Sequence, residues 1–283
     1  MKLETNKSFK YILSRFFIYF ALITAVIVAI APLIVVLFGS FKTNTELLST
    51  NVLAPPQSFI NFENYVRAWT EGNMLRGFVN TAIILIASLL ATVLTGTMTA
   101  YILSRFRFNG HGLVKFLFLL ASLIPSITMQ MSTFQIIVGL GLYNTRLSTI
   151  LLFAGTDIIS IYIFLQFLEG IPYTLDEAAI IDGASFPRIY RSIIFPLLKP
   201  ATLTVIIIKG IGYYNEFYTP YLYMKSPDLA VISTALYRFQ GPYGTQWEVI
   251  CAGVVITTLP TLAVFLLLQK EIYSGLTMGS VKG

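Results

Sequence analysis

Long apolar runs alternate with short polar segments along the whole chain. A helix needs about 20 apolar residues to cross a bilayer core roughly 30 Å thick. Six runs meet this length, and they cover residues 16–38, 78–103, 114–138, 147–168, 201–222 and 249–269. The pattern predicts an all-α integral membrane protein with six transmembrane helices, in a single transmembrane domain covering residues 1–283.

The composition agrees with a membrane protein. Of the 283 residues, 56% are hydrophobic and 11% are charged, whereas a soluble domain has about 25% charged residues. The net charge of +6 comes from bases spread over short loops, with no patch of interleaved aromatic residues, which argues against a nucleic-acid partner. The single Cys251 cannot form an internal disulfide, and the single His111 argues against a histidine-based metal site.

The first apolar run is predicted to be a retained span rather than a cleaved signal peptide. Residues 16–41 contain no charge, and this run is longer than the apolar core of about 7–15 residues in a signal peptide. The cleavage-like residues Ala29 to Ala31 are followed by Pro32, which is unfavourable after a cut.

Lysine and arginine are distributed unevenly among the loops. They are concentrated in the N-terminal tail, in loop 104–115, in segment 169–200 and in the C-terminal tail. Because basic residues favour the cytoplasmic side, both termini and segment 169–200 are predicted to be cytoplasmic. The glycines of the C-terminal tail argue against a long helix there.

The second run carries small residues at every fourth position, which predicts close helix packing at the centre of a bundle. These residues are Ser88, Thr92, Gly96 and Ala100. The third run contains Pro125, which predicts a kink, and a polar face formed by Ser126, Gln130 and Thr133. This polar face either bonds a neighbouring helix or lines a path for a polar solute.

Two charged residues lie in the middle of apolar runs, Asp157 in the fourth and Lys209 in the fifth. A charge at this depth is usually paired or faces a water-filled cavity. We therefore predict that the two residues pair or share a polar cavity, either as a structural pair or as part of a substrate path. The fifth run ends in Tyr214, Asn215 and Glu216, a mixture typical of sugar binding and also of an interfacial aromatic belt.

Segment 169–200, here called the polar insert, mixes acids and bases between two apolar runs. Thr174 and Glu177 fit a capping box, which predicts a helix from Leu175 to Asp182 that ends at Gly183 in the left-handed conformation. Ser185 and Pro187 predict the start of a second short helix. The prediction is a pair of short cytoplasmic helices, broken at Pro196 and Pro200, that docks on a partner protein.

The insert resembles the EAA signature of importer-type ABC transporter permeases. The match consists of Glu177-Ala178-Ala179, Gly183, Ile193 and Pro196 at the signature's spacing, with Phe195 where the signature expects leucine. Other segments resemble the carbohydrate-uptake, maltose-permease-like branch of this family: Ala100-Tyr101, Ser104-Arg105-Phe106, Gly141 to Thr145, Asn215 to Phe217, Gly275 to Thr277, Gly279 and Val281 to Gly283.

The resemblance implies one of two different permease subunits in an ATP-driven importer of a sugar or oligosaccharide. The implied partners are a second permease, two ATPase subunits that bind ATP and Mg, and an extracytoplasmic solute-binding protein, in a bacterial or archaeal cytoplasmic membrane. ATPase coupling would involve Glu177, Ala178, Ala179, Asp182, Gly183, Ile193 and Pro196. The residues predicted for the substrate pathway are Gln130, Thr133, Asp157, Lys209, Tyr214, Asn215 and Glu216.

The chain itself is not expected to be an enzyme or to bind a cofactor or metal. It contains no Gly-Lys dipeptide, so it has no phosphate-binding loop of the G-x-x-x-x-G-K-[ST] type. The alternatives are an ABC permease for a non-sugar solute, a stand-alone secondary transporter and a membrane enzyme. A stand-alone transporter would explain Asp157 and Lys209 but not the insert, and a membrane enzyme lacks a cluster of catalytic residues.

Overall fold

The computed structural model describes residues 2–155, 157–241 and 244–278, excluding the side chains of 2–10, 12, 13, 126 and 271–278. The tail residues Gly279 and Val281 to Gly283, which contribute to the family resemblance, lie outside this part. The helices in chain order are α1 (Lys2–Phe41), α2 (Asn44–Ser49), α3 (Glu63–Glu71), α4 (Met74–Arg105), α5 (His111–Ser122), α6 (Ser126–Gly139), α7 (Arg146–Ala154), α8 (Ile158–Glu169), α9 (Thr174–Ile181), α10 (Phe186–Ile189), α11 (Phe195–Leu197), α12 (Lys199–Asn215), α13 (Tyr218–Tyr223), α14 (Ile232–Ala235) and α15 (Trp247–Met278).

Irregular elements connect some of these helices. A π-helical turn, Tyr190–Ile194, joins α10 to α11, and two 3₁₀ turns cover Pro227–Leu229 and Leu236–Phe239. Two short antiparallel strands, β1 (Gln240–Gly241) and β2 (Gly244–Thr245), precede α15. The chain divides into two compact units, Met1–Asn73 with Leu236–Leu259 and Met74–Ala235 with Pro260–Gly283.

Three described helices are long and apolar enough to cross a membrane by themselves: Ser14–Phe41, Met74–Arg105 and Trp247–Lys270. Three further helix pairs meet the same test when each bent pair is taken as one span, giving up to six spans. The pairs are His111–Ser122 with Ile127–Gly139, Arg146–Ala154 with Ile158–Glu169, and Phe186–Leu197 with Lys199–Asn215, bent by 103°, 41° and 70°. The described helices are therefore apolar and long enough for a membrane protein, but the third and fourth predicted spans are each divided into two helices. The third pair bends at Leu198, before the predicted start of the fifth span at residue 201, and its first helix belongs to the polar insert.

The break in the third predicted span lies at the proline that predicted a kink. Pro125 is extended, with ψ at 128°, and immediately precedes α6. Proline has no backbone N–H, so it fits the first position of a helix better than its interior. Helix α5 consequently ends before Pro125, and the chain turns sharply instead of bending within one helix.

The fifth and sixth predicted spans have different ends from those expected. Helix α12 ends at Asn215 because Glu216 is extended, with ψ at 119°, whereas the predicted span continued to residue 222. Helix α15 continues to Met278, so the expectation that glycines would prevent a long helix in the tail is wrong for the described residues. A glycine in a helix costs only about 1 kcal/mol relative to alanine, and Gly275, the tail glycine within α15, does not end a helix of this length.

Helix α4 is central to the second unit, as its small residues predicted. It packs against α7, α8, α12 and α14. Its buried face includes all four small residues of the predicted row, Ser88, Thr92, Gly96 and Ala100. A Cβ atom added at Gly96 would lie 3.1 Å from Phe164 Cε2, so the neighbouring helix approaches closely at this glycine.

In the first unit, polar side chains close the end of α1. Lys42 is fully buried, and its Nζ donates to Thr50 Oγ1 and to the backbone oxygen of Asn51, each at 3.0 Å. Asn64 Nδ2 donates to the backbone oxygens of Ser40 at 3.0 Å and Lys42 at 2.8 Å. The last carbonyls of a helix have no partner within the helix, and Asn64 satisfies that of Ser40 together with the oxygen of Lys42, the residue after α1.

Replacing Gly96 with leucine tests the close approach at α4. The new side chain would overlap the Phe164 ring, and overpacking of this kind typically costs about 1–3 kcal/mol. We expect Gly96→Leu to lower the midpoint of unfolding of the detergent-solubilised protein. Gly112→Leu is the matched control, since a Cβ atom at Gly112 meets nothing within 4 Å. Equal unfolding midpoints for Gly96→Leu and Gly112→Leu would contradict the close approach of Phe164 to Gly96.

Candidate functional site

The first helix of the polar insert forms as predicted, but its start differs. Helix α9 begins at Thr174 rather than Leu175, and Thr174 makes no side-chain capping bond. The backbone oxygen of Tyr173 instead accepts from the N–H groups of Asp176 at 2.9 Å and Glu177 at 3.1 Å. The predicted capping box is therefore wrong, and a backbone carbonyl satisfies the Glu177 N–H that the Thr174 side chain would have bound.

The end of α9 follows the prediction at Gly183. This glycine has φ at +80°, the left-handed conformation that glycine adopts without steric cost. The second helix then begins after Ser185, which is extended but makes no side-chain capping bond, and Pro187 lies in its first turn. This helix continues through the π turn and α11, past Pro196, and the chain bends only at Leu198.

The signature-like residues of the insert divide between its surface and its interior. Glu177, Ala178, Asp182, Gly183 and Pro196 are exposed, and Ile193 is half-buried. Ala179 is only 6% exposed and belongs to a hydrophobic cluster that includes Ala100, Tyr101 and Leu103 of α4. The small size of Ala179 thus lets α9 pack against its own chain, while the other residues leave a surface that a partner can reach.

Asp157 and Lys209 form an ion pair, in agreement with the pairing hypothesis. Lys209 Nζ lies 2.7 Å from Asp157 Oδ1, and the Lys209 and Asp157 side chains are 18% and 13% exposed. The Ser160 hydroxyl donates to Asp157 Oδ2. Both carboxylate oxygens of Asp157 therefore have partners.

Asp157 does not lie in the middle of a continuous helix, as the apolar pattern predicted. It immediately precedes α8, with φ at −87° and ψ at 93°, after α7 has ended before Gly155. A negative charge is favourable near the N-terminus of a helix because the unpaired N–H groups there carry positive partial charge. The ion pair is therefore located at a helix break.

Tyr213 contacts the other side of this break, a role that no local sequence pattern indicates. Its ring stacks on Phe153 with centroids 4.5 Å apart, and its hydroxyl donates to the backbone oxygen of Phe153 at 2.6 Å. Thr92 Oγ1 of α4 lies 3.2 Å from the same hydroxyl. Tyr213 is four residues after Lys209, so both lie on one side of α12 and both meet the α7–α8 region.

Other predicted pathway residues form smaller groups. The Tyr218 hydroxyl donates to Gln130 Oε1 at 3.0 Å, and Glu216 Oε1 accepts from the backbone N–H groups of Tyr218 at 2.9 Å and Thr219 at 3.1 Å. The Asn215 amide donates to the backbone oxygen of Ile211 in its own helix. Tyr218 therefore contacts Gln130 through its hydroxyl and Glu216 through its backbone N–H, and Glu216 stabilises the break between α12 and α13.

Thr133 and Tyr214 belong to different surroundings. The Thr133 hydroxyl donates to the backbone oxygen of Met129, one turn earlier in α6. Tyr214 lines a cavity of about 10 Å³, together with Thr81, Ile84, Leu85, Phe153, Tyr213, Pro220 and Val231. A cavity of this volume holds about one water molecule, so it is too small for a sugar in this conformation.

No three His, Cys, Asp or Glu side chains converge on a possible metal site within the described part of the chain. Asp157 and Lys209 are instead paired with each other, and Glu216 is bonded to backbone N–H groups. The polar residues within the apolar segments can bond a polar solute or hold helix breaks.

No protein-family model matches the chain. Its sequence is 32% identical over 256 residues to the probable starch degradation products transport system permease protein AmyC of Thermoanaerobacterium thermosulfurigenes, a match covering 89% of this chain and 92% of that protein. The chain belongs to the family of sugar ABC transporter permeases. Like its relatives in this family, it is a membrane transport protein and not an enzyme.

Two further similarities extend over nearly the whole chain. The arabinooligosaccharides transport system permease protein AraQ of Halalkalibacterium halodurans is 29% identical over 285 residues, which covers 100% of both chains. A crystal structure of a bacterial ABC transporter involved in the import of the acidic polysaccharide alginate matches with a TM-score of 0.79 and 19% identity, over 95% of this chain and 98% of that one. The structural match shows that the two chains share the permease fold.

A double-mutant cycle tests the energetic importance of the Asp157–Lys209 pair. Removing one partner of a buried pair leaves an uncompensated charge and typically costs about 3–5 kcal/mol. We expect Asp157→Asn and Lys209→Met each to lower the free energy of unfolding in detergent. The loss of free energy in the double variant should be smaller than the sum of the losses in the two single variants. The control combines Asp157→Asn with Lys225→Met, because Lys225 lies over the Tyr221 ring instead. Additive losses for Asp157 and Lys209 would show that the pair is not energetically coupled.

Proposed function

We propose that this chain is the transmembrane subunit of an ATP-driven importer of a sugar or oligosaccharide and forms half of its translocation path. The observation that carries the proposal is the 32% identity to a permease of a starch degradation products transport system, over 89% of this chain and 92% of that protein. The partners are a second, different permease, two ATPase subunits and an extracytoplasmic solute-binding protein. In this proposal the chain lies in a bacterial or archaeal cytoplasmic membrane, with six spans and both termini in the cytoplasm.

The polar insert is proposed to couple the spans to an ATPase subunit. Its support is the EAA-like spacing together with the exposure of Glu177, Ala178, Asp182 and Gly183, which leaves one end of α9 open to a partner. Glu177 presents a carboxylate there, and the left-handed Gly183 turns the chain away after two turns of helix. ATP and Mg are bound by the ATPase subunits in this proposal, and this chain binds no cofactor.

The substrate path is proposed to pass the breaks in the apolar segments. Irregular backbone at membrane depth is tolerated only where it is buried in protein or faces a water-filled cavity. The breaks at Asp157 and Glu216 carry charged side chains, and transporters commonly bind substrate at such discontinuous helices. Gln130, Thr133, Tyr214 and Asn215 would add hydrogen-bonding groups and an aromatic ring in the conformation that admits the sugar.

Reconstitution in proteoliposomes tests the transport function. The complete complex should take up oligosaccharides from a panel of starch, arabinan and galactan hydrolysates when ATP is enclosed with the ATPase subunits. We expect no uptake when the ATPase subunits are omitted, because the chain has no phosphate-binding loop of its own. Omitting the solute-binding protein should also abolish uptake, because it is one of the proposed partners of the importer. Uptake by this chain alone would indicate a secondary transporter. Uptake of amino acids or phosphonates in place of the sugars would contradict the proposed substrate class.

Replacing Glu177 with lysine tests the coupling surface. Reversing this exposed charge should weaken binding of the ATPase subunits, because charges across an interface are arranged to be complementary. We expect less ATPase to co-purify with the permeases, while the unfolding midpoint of the permease stays unchanged. Glu63→Lys is the control, since Glu63 is also exposed but lies on the predicted extracytoplasmic side. Normal ATPase binding and transport by Glu177→Lys would contradict the coupling role.

A further inference from the structure

A buried ion pair joins the polar insert to the end of the longest unbroken helix of the second unit. Arg105, the last residue of α4, has its Nε 3.2 Å from Asp176 Oδ2 of α9, and the two side chains are 8% and 3% exposed. Arg105 Nε and Asp176 Oδ2 do not form a hydrogen bond, so the contact is an ion pair. The Tyr101 hydroxyl, one turn earlier in α4, donates to Asp176 Oδ1 at 3.3 Å.

The guanidinium of Arg105 also holds the segment that leads into α9. Its Nη2 donates to the backbone oxygen of Ile171 at 2.9 Å, and its Cζ lies 5.7 Å from the centroid of the Tyr173 ring. A planar guanidinium can make several directed contacts at once, which a lysine ammonium cannot reproduce. Arg105 therefore contacts the chain both before and within α9.

A second polar contact ties the other helix of the insert to the same part of α4. The Tyr190 hydroxyl lies 2.8 Å from Thr97 Oγ1, and the Tyr190 ring is 5.5 Å from the Tyr101 ring. Tyr190 begins the π turn between α10 and α11. Both helices of the insert are thus attached to residues 97–105 of α4.

Such a buried ion pair is better suited to fixing geometry than to increasing stability. The loss of hydration on burial offsets most of the attraction between two charges, and a well-packed apolar pair is often as stable. The hydrogen bonds that accompany the pair, from the Tyr101 hydroxyl to Asp176 and from Arg105 Nη2 to the Ile171 carbonyl, are directed and permit few relative positions of the two helices. Asp176 and Arg105 therefore hold α9 in one position relative to α4.

Helix α4 continues without a break from this attachment to the region of the Asp157–Lys209 pair. Gly96 of α4 lies against Phe164 of α8, and Thr92 contacts the Tyr213 hydroxyl of α12. Asp157 immediately precedes α8, and Lys209 is on α12. A displacement of α9 therefore has a continuous packed route to both members of the charge pair.

We propose that Arg105, Asp176 and Tyr101 are positioning residues that transmit movement of the polar insert to α4. The inference rests on the proposed coupling of the insert to an ATPase subunit. Within that function, Glu177 contacts the partner while its neighbour Asp176 points in a different direction and contacts α4. Loosening the Asp176 contact should leave ATP hydrolysis active but less effective in moving sugar.

The test measures sugar molecules taken up per ATP hydrolysed in proteoliposomes that contain the complete complex and the sugar transported by the wild type. We expect Arg105→Met and Asp176→Asn to lower this ratio about tenfold, within the usual range of coupling between sites. Asp176→Glu, which keeps the carboxylate, should recover much of the ratio. Arg107→Met is the control, because Arg107 is exposed and lies only two residues after Arg105. This substitution should leave the ratio at the wild-type value.

Tyr101→Phe provides a second test if the charge variants do not assemble. It removes only the hydroxyl that bonds Asp176 and keeps the buried ring, so we expect a smaller fall in the same ratio. A purely structural role would reduce the amount of complex and would lower uptake and ATP hydrolysis together, leaving the ratio unchanged. An unchanged ratio in Tyr101→Phe and in the assembled charge variants would overturn the proposal. A wild-type complex that transports no sugar would instead contradict the proposed function itself.

Discussion

The need to satisfy every backbone polar group within an apolar environment governs this structure. In hydrocarbon, an unpaired N–H or C=O group costs several kcal/mol, so an apolar chain forms helices wherever it can. Where a helix stops, other groups must replace the missing bonds. Glu216 does so directly, because one of its carboxylate oxygens accepts from two backbone N–H groups at the start of α13. The charged residues of the fourth and fifth apolar runs are thus found at or opposite helix breaks.

Helix α4 meets the same requirement without a break. Its small residues let Phe164 and its neighbours approach closely. Side chains of neighbouring helices, rather than bulky side chains of α4 itself, therefore fill the space beside the buried face. The second unit consequently combines one straight helix with segments that bend around it. At the breaks, Asp157 and Glu216 are bonded to other groups of the chain, whereas the buried face of α4 is filled by its neighbours.

The polar insert shows how two adjacent carboxylates acquire different roles. Successive residues of a helix are separated by about 100° around its axis, so Asp176 and Glu177 point in different directions. Asp176 is buried against Arg105, while Glu177 is exposed. The same helix therefore exposes one acid at the surface and binds its own chain with the other. Ala179 serves the inner side by allowing α9 to pack closely against α4.

The sequence by itself determined the membrane character, the helical class, the central packing of α4, the left-handed turn at Gly183 and the family. These properties follow from local features, namely apolar length, the spacing of small residues, the freedom of glycine and a characteristic motif. Only the tertiary structure decided where helices break and which charges meet. Apolar length does not reveal a break at Asp157, because the run remains apolar whether the helix continues or bends. Nor does local sequence show that Asp176 bonds Arg105 across 71 positions of chain rather than its own helix end, since that choice depends on how closely α4 and α9 approach.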